Sequence, residues 1–369
     1  MKIALVHDWL TGMRGGEKVL EVLCDLFPKA DLFTLVHAPG QVSPTIERHR
    51  IFTSPLQRLP QVRRYYRHLL PLMPWAIQQF DFIGYDVIIS TSHCVAKGAI
   101  PRGKARHVCY CHTPMRYIWD QFEEYFGPGR SSILTRGLMH LLRQPLQQWD
   151  LRTVPRVHTF IANSQNVRER IQRIYHRDSQ VIYPPVDHAF FSQGIENVPK
   201  PVEPFYLIVS ALAPYKRIDL AIETFKQSGK KLVIIGEGQE SAALQNQATP
   251  NIQFLGWMSN DALRSHYQQA RALIFPGEED FGIVPLEAMS AGCPVIAFRK
   301  GGALETVAEK KTGLFFDRQT SRDLMTAIES FEQTSLDRNA IRSHAERFSR
   351  DRCEQAFRSL FIEYRAEMS

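Results

Sequence analysis

Glu279 and Glu287 flank the run Asp280-Phe281-Gly282-Ile283-Val284-Pro285-Leu286, which places two hydrogen-bond acceptors on either side of a single turn. The run follows an apolar segment, Ala272 to Pro276, and opens a helical stretch closed by Gly292. Gly282 permits a tight turn and Pro285 is tolerated in a first helical turn, so the helix is expected to start at about Ile283. Free N–H groups at such a terminus attract phosphate, and ligands of open α/β sheets gather at the carboxyl ends of strands. Diphosphate is the natural occupant, with the carboxylates accepting hydrogen bonds from sugar hydroxyls: Glu279 from a transferred sugar, Glu287 from a ribose. Acids in a first helical turn also serve simply to complement the helix dipole.

A second turn, Ala211-Leu212-Ala213-Pro214-Tyr215-Lys216-Arg217, lies between the strand-like Phe205–Val209 and a helix from Asp219. Lys216 and Arg217 can neutralise charge developing on a departing diphosphate, or be solvated surface cations. In the first half of the chain, Thr11-Gly12-Met13-Arg14-Gly15-Gly16 departs from the Gly-x-Gly-x-x-Gly fingerprint. The second strand also lacks a ribose-binding acid, which disfavours an NAD site. The loop reads as one that lets substrate approach the backbone, or as a plain tight turn. His112 ends a strand beside Thr113-Pro114, where an imidazole can contact a sugar or a leaving group.

Apolar strands alternating with helical periods must position these turns, and that alternation predicts two doubly wound α/β domains. In the first half, strands are expected near 3–7, 31–36, 86–90, 106–111 and 157–162, with a helix from about Gly16. In the second they fall near 205–210, 231–235, 252–255, 272–275 and 294–298, with helices over Asp219 to Gln227 and Asn260 to Ala270. The turn-rich stretch 187–204 is expected as a linker. The resulting division is a Rossmann-like domain over 1–186, a second Rossmann-like domain over 205–345, and a C-terminal helix over 346–369 that packs back on the first domain.

The chain has 369 residues, which suits two domains and a cleft between them. It opens directly on a strand, without a leader segment, and holds six scattered cysteines. A reduced, cytoplasmic setting with structural cysteines is the simplest expectation. No apolar run reaches the roughly 20 residues that span a bilayer. The net charge of +7 is uneven: residues 1–185 carry 24 Lys and Arg against 14 Asp and Glu, so the first half is the one suited to an anionic partner.

With these residues in view, the chain resembles family-4 glycosyltransferases, retaining enzymes of the GT-B fold. The likeness is carried by Glu279 and Glu287 within their motif, and more weakly by Ala162-Asn163-Ser164, Pro184-Pro185-Val186-Asp187 and Phe254-Leu255-Gly256-Trp257. It implies that Glu279 contacts the donor sugar, Glu287 the ribose, Lys216 the diphosphate, and Trp257 with Met258 the base, partly through backbone. Phe281, Gly282, Ile283 and Val284 would complete the donor-binding turn. His112 would lie beside the reacting sugar and share the catalytic role with Glu279. Gly15 and Gly16 would lie near diphosphate and acceptor, and Asp8 and Arg116 near the acceptor. Neither metal nor other cofactor is expected, because positioning and electrostatics carry this chemistry. Ala211 stands where many members have arginine.

Cys111-His112-Thr113-Pro114-Met115-Arg116-Tyr117 and Pro214-Tyr215-Lys216-Arg217 are similar to bacterial mannosyltransferases that build O-antigens and exopolysaccharides. That likeness implies GDP-mannose as donor and a lipid-linked saccharide or polysaccharide precursor as acceptor. A UDP-sugar-dependent transferase and a GT-B nucleotide-sugar epimerase are the alternatives. Cations and aromatics interleave over 58–80, and with Arg136, Arg143, Arg152 and Arg156 they suggest an anionic membrane surface as partner. The enzyme would then be peripheral at the inner face of the cytoplasmic membrane. Nucleic acid is not expected, because it leaves the two glutamates without a purpose.

Overall fold

The computed structural model describes residues 1–127, 132–194 and 201–366. The chain forms two compact units, Met1–Pro185 with Cys353–Ser369, and Val186–Arg352. In the first unit β1 (Ile3–His7), β2 (Asp31–Thr34), β3 (Ile51–Thr53), β4 (Val87–Ser92), β5 (Arg106–Cys111), β6 (Thr159–Ala162) and β7 (Ser179–Val181) form one sheet ordered β3-β2-β1-β4-β5-β6-β7. All the pairings are parallel. Such a sheet is apolar on both faces because helices cover both. Ala4, Val6 and Ile88 join one layer with Phe33, Ile77, Met139 and Leu146. Ile3, Leu5, Val87 and Ile89 join the other with Leu20, Leu23 and Phe357.

The second unit repeats the plan with β8 (Tyr206–Val209), β9 (Leu232–Ile235), β10 (Ile252–Gly256), β11 (Leu273–Phe275), β12 (Val295–Phe298) and β13 (Gly313–Phe316), ordered β10-β9-β8-β11-β12-β13. The helices that bear on function are α1 (Gly15–Leu26), α2 (Ile133–Thr153), α3 (Ile218–Ser228), α4 (Asn260–Gln269), α5 (Ile283–Ser290) and α6 (Arg350–Ala366). Three short strands, β3, β7 and β13, were not anticipated; each lies at a sheet edge, with one paired neighbour and at most four residues. The stretch expected as linker, 187–204, instead begins with a helix, His188–Phe191, inside the second unit. There Phe191 packs 5.8 Å from the Tyr267 ring. Residues 195–200 of that stretch lie outside the described residues. Most of α6 belongs to the first unit, with Phe361 edge-on to Phe27 at 5.0 Å and Phe357 5.6 Å from Tyr110.

The six cysteines are all buried. Cys109 and Cys111 lie on β5 in a core with Phe160 and Val167. Among the described residues no helix is long and apolar enough to cross a membrane.

One buried histidine makes the first unit acid-sensitive. His107 lies 2.7 Å from Ser90 Oγ, and burial, then the charges of His158 and Lys97, push its pKa down to about 3 from 6.5. Once the pH falls below 6.5, the unfolded chain gains a proton that the native state refuses. The neutral form's contribution is therefore full above 6.5 and is lost toward 3, at about 1.4 kcal/mol per pH unit. In thermal melts His107 should account for a stability loss of about 2 kcal/mol between pH 6.5 and 5, so His107→Gln should make the profile shallower by that amount, the remaining slope coming from other depressed histidines such as His112. His93 is shifted upward, so its contribution is already complete in that window and does not offset the loss.

Candidate active site

In the second unit the sheet order reverses between β8 and β11, so the turns leaving these neighbouring strands open on one crevice, the usual ligand position of such sheets. The turn Pro214–Lys216 follows β8 and the loop to Gly282 follows β11. Gly277 lets them touch: a Cβ there would lie 2.8 Å from Lys216 Cα and 2.9 Å from the Tyr215 carbonyl oxygen. Across this contact the Lys216 ammonium pairs with the Glu279 carboxylate, each side chain 17% exposed. A third turn, after β12, closes on the same loop. Gly302 N–H donates to the Glu279 carbonyl at 2.9 Å, and a Cβ on Gly302 would come within 2.2 Å of Phe281 Cα. Glycines on either side thus set the backbone of Glu279–Phe281.

Helix α5 starts at Ile283, as its proline and glycine required, with Gly282 at φ +89° as N-cap and no side chain capping the first turn. Gly282, Ile283 and Val284 are half-buried, whereas the Phe281 ring is buried 5.8 Å from Phe348. Phe281 therefore offers a ligand its backbone rather than its ring. Glu287, one turn further on, is 8% exposed and accepts a hydrogen bond from the Tyr267 hydroxyl of α4 at 3.3 Å. Burial, then the Glu287 charge, raises the Tyr267 pKa well above its usual value, so this hydroxyl stays a donor.

Arg217 is placed differently from expectation. Its backbone is left-handed at φ +54°, and its guanidinium is engaged by Asp219 at 3.2 Å and Gln319 at 3.3 Å. It thus anchors the start of α3. Trp257, after β10, is 75% exposed and donates its backbone N–H to Glu237 at 3.4 Å; Met258 is half-buried. An open indole suits stacking on a base. Trp257→Ala should weaken nucleotide binding by about 1–3 kcal/mol, measured by isothermal titration.

In the first unit the order reverses between β1 and β4, and Asp8 occupies that point. Its Oδ1 accepts the N–H groups of Val95 and Ala96 at 2.7 Å each, and its Oδ2 those of His93 and Cys94 at 2.8 and 2.9 Å. His93 Nδ1 adds a 3.1 Å ion pair. Burial pushes this carboxyl up, but the charge and hydrogen bond of His93 outweigh it and hold Asp8 well below the usual range. With its oxygens so occupied, Asp8 positions the loop after β4.

His112 follows β5. Its Nε2 is enclosed and has no hydrogen-bond partner among the described residues. A Cβ added at Gly16, in the first turn of α1, would meet that nitrogen at 3.4 Å and His7 Cε1 at 3.5 Å. Burial, then the charges of His93 and His7, push the His112 pKa down to about 3, leaving a neutral imidazole. Gly15 opens α1, while Arg116 is 8% exposed and reaches Gln121 at 3.5 Å. Sequence reasoning missed Glu17, which lies 3.6 Å from His7. Burial raises the Glu17 pKa, but the neighbouring His7 outweighs it and holds the carboxyl below its usual value. It also missed His93, whose signal was its position just beyond a strand's carboxyl end. Among the described residues no cluster of three or more His, Cys, Asp or Glu forms a metal site.

Residues 13–190 match the family model "Glycosyltransferase Family 4" and residues 194–348 match "Glycosyl transferases group 1". The human alpha-1,3/1,6-mannosyltransferase is 26% identical over 289 residues, 69% of this chain and 65% of that protein. A GDP-mannose-dependent alpha-(1-6)-phosphatidylinositol monomannoside mannosyltransferase of Mycobacterium tuberculosis is 32% identical over 143 residues, 34% of this chain and 37% of its own. The chain thus spans just under two thirds of the human relative and about a third of the mycobacterial one. Among solved structures, sucrose-phosphate synthase of Thermosynechococcus elongatus superposes with a TM-score of 0.71 at 17% identity, covering 100% of both chains. Anabaena HepE in complex with UDP-glucose does so at 0.68 and 19% identity, over 98% of this chain and 100% of that one. The superpositions give the GT-B fold, and two consecutive glycosyltransferase family models match the chain, a family-4 region followed by a group-1 region.

Proposed function

We propose that the protein transfers a sugar, mannose from GDP-mannose, with retention of configuration to a hydroxyl of a lipid-linked or polysaccharide-precursor acceptor. The observation that carries the reading is the Lys216–Glu279 pair, held by glycine contacts at the switch point of the second unit beside the uncapped start of α5. An ammonium and a row of free N–H groups suit a diphosphate, and a carboxylate suits sugar hydroxyls. In the reaction, the anomeric carbon's bond to the diphosphate oxygen breaks and one to the acceptor oxygen forms on the same face. The acceptor's proton passes to the departing diphosphate. Lys216 and the α5 N-terminus stabilise the charge that develops there without a metal. The named activities of the mannosyltransferase relatives support the choice of mannose.

A thermal-shift screen tests the donor, because a ligand bound by the folded state raises its stability by mass action. GDP and GDP-mannose should raise the melting temperature in a concentration-dependent way and UDP-glucose should not. A shift with UDP-glucose alone would overturn the donor assignment.

A further inference from the structure

Helix α2 turns an apolar face to solvent. Ile133, Leu134, Leu138 and Leu141 are 78%, 86%, 52% and 74% exposed. Leu134, Leu138 and Leu141 are spaced four and three apart, so they form one stripe along the helix. Met139 and Leu146, on the other side of α2, are buried in the first unit's core. The stripe stands on a helix fixed at both ends. Ser132 caps its start by accepting the Thr135 N–H at 3.1 Å. Near its end, Asp150 is ion-paired with Lys97 at 2.8 Å, with Trp119 and Tyr175 donating to the same carboxylate at 2.8 and 2.9 Å.

The segment 58–77 packs into the same core layer, on the same face of the sheet. It exposes Arg58, Arg63, Arg64 and Arg67 together with Leu72 and Trp75. No acidic residue occurs between 58 and 80 or between 133 and 149. Two arginines expected at this surface are instead used by the fold. Arg143 donates to the Ile118 and Trp119 carbonyls at 3.0 and 3.3 Å, and Arg156 to the Gly98 carbonyl at 2.8 Å.

We propose that the Leu134/Leu138/Leu141 stripe, with the arginines of 58–67, docks on an anionic lipid bilayer. Contiguous apolar patches on soluble surfaces mark interaction sites. The charges choose the occupant: an interfacial apolar face with arginines and no acids matches anionic headgroups, each cation contributing about 1 kcal/mol near the surface. A second copy would instead bring like charges together. The proposal deepens the reading of a lipid-linked acceptor and rests on it for its purpose, since docking would bring the enzyme to an acceptor held in the bilayer.

Co-sedimentation with vesicles of phosphatidylcholine, with and without phosphatidylglycerol, tests it. Wild-type protein should sediment with the anionic vesicles and be released by salt. The triple variant Leu134→Ser/Leu138→Ser/Leu141→Ser should bind at least tenfold more weakly, and Arg63→Gln/Arg64→Gln should weaken binding while reducing its salt dependence. Unchanged melting temperatures and GDP-induced shifts in both variants would show that fold and donor site are intact. Vesicle binding insensitive to the triple variant, or no binding by the wild type, would overturn the proposal. So would a wild-type dimer in sedimentation velocity that the triple variant reduces to monomer, which would assign the stripe to a second copy. Docking retained without any GDP-induced shift would instead refute the donor-site reading and leave the docking surface standing.

Discussion

Lys216→Ala should lower sugar transfer by roughly 10²–10³-fold, the usual effect of removing one preorganised group that stabilises a developing anion. Lys216 is held where the β8 turn meets the Glu279 loop, so it needs no reorganisation to meet a diphosphate. Glu279→Gln should cause a loss of the same order for a different reason: the amide keeps an acceptor oxygen but weakens the charge-assisted hydrogen bonds a carboxylate makes to sugar hydroxyls. Both side chains reach solvent, so water can take the place of the missing partner and the variants lose little stability. Melting temperatures should therefore stay within a few degrees of the wild type. Steady-state rates from the purified variants check this, and wild-type rates in either would remove the site assignment.

The second large effect is on folding. Lys97 and Asp150 are 2% and 0% exposed, and Lys97 also donates to the Asp150 carbonyl at 2.6 Å and to Thr153. Lys97→Met would leave a buried carboxylate without its cation, which costs about 3–5 kcal/mol. For a unit of this size that corresponds to a drop on the order of 10 °C in melting temperature. Asp150→Asn added to Lys97→Met should recover much of the loss, since it removes the uncompensated charge while keeping a side-chain oxygen for the Trp119 and Tyr175 donors. A double variant as unstable as the single one would show that the ion pair is not the source of the effect.

How far the chain could be read in advance depended on whether the signal was local. The β1 and β5 boundaries and the start of α5 follow from runs of apolar residues, one glycine and one proline, all within ten positions. The strands β3, β7 and β13 owe their existence to pairing with residues distant in sequence, and three or four residues carry no periodic pattern of their own. The site divides in the same way. Glu279, Glu287 and Lys216 stand in recognisable turns, whereas Tyr267 reaches Glu287 from α4, and Gly277 and Gly302 matter only because other turns press on them. The fates of Arg217, Arg143 and Arg156 could not be read either, since a cation's type does not say whether a carboxylate or a carbonyl of the fold will claim it first. The exposed stripe of α2 looks like any amphipathic helix until the structure shows that its apolar side is left uncovered.

The most direct test of the account is turnover of nucleotide sugars by the purified protein, with release of free nucleotide measured across a panel that includes GDP-mannose and UDP-glucose. GDP release from GDP-mannose should rise when a saccharide acceptor is added and fall at least a hundredfold in Lys216→Ala, at the scale expected for loss of an anion-stabilising group. Release of UDP from UDP-glucose with GDP-mannose ignored would contradict it.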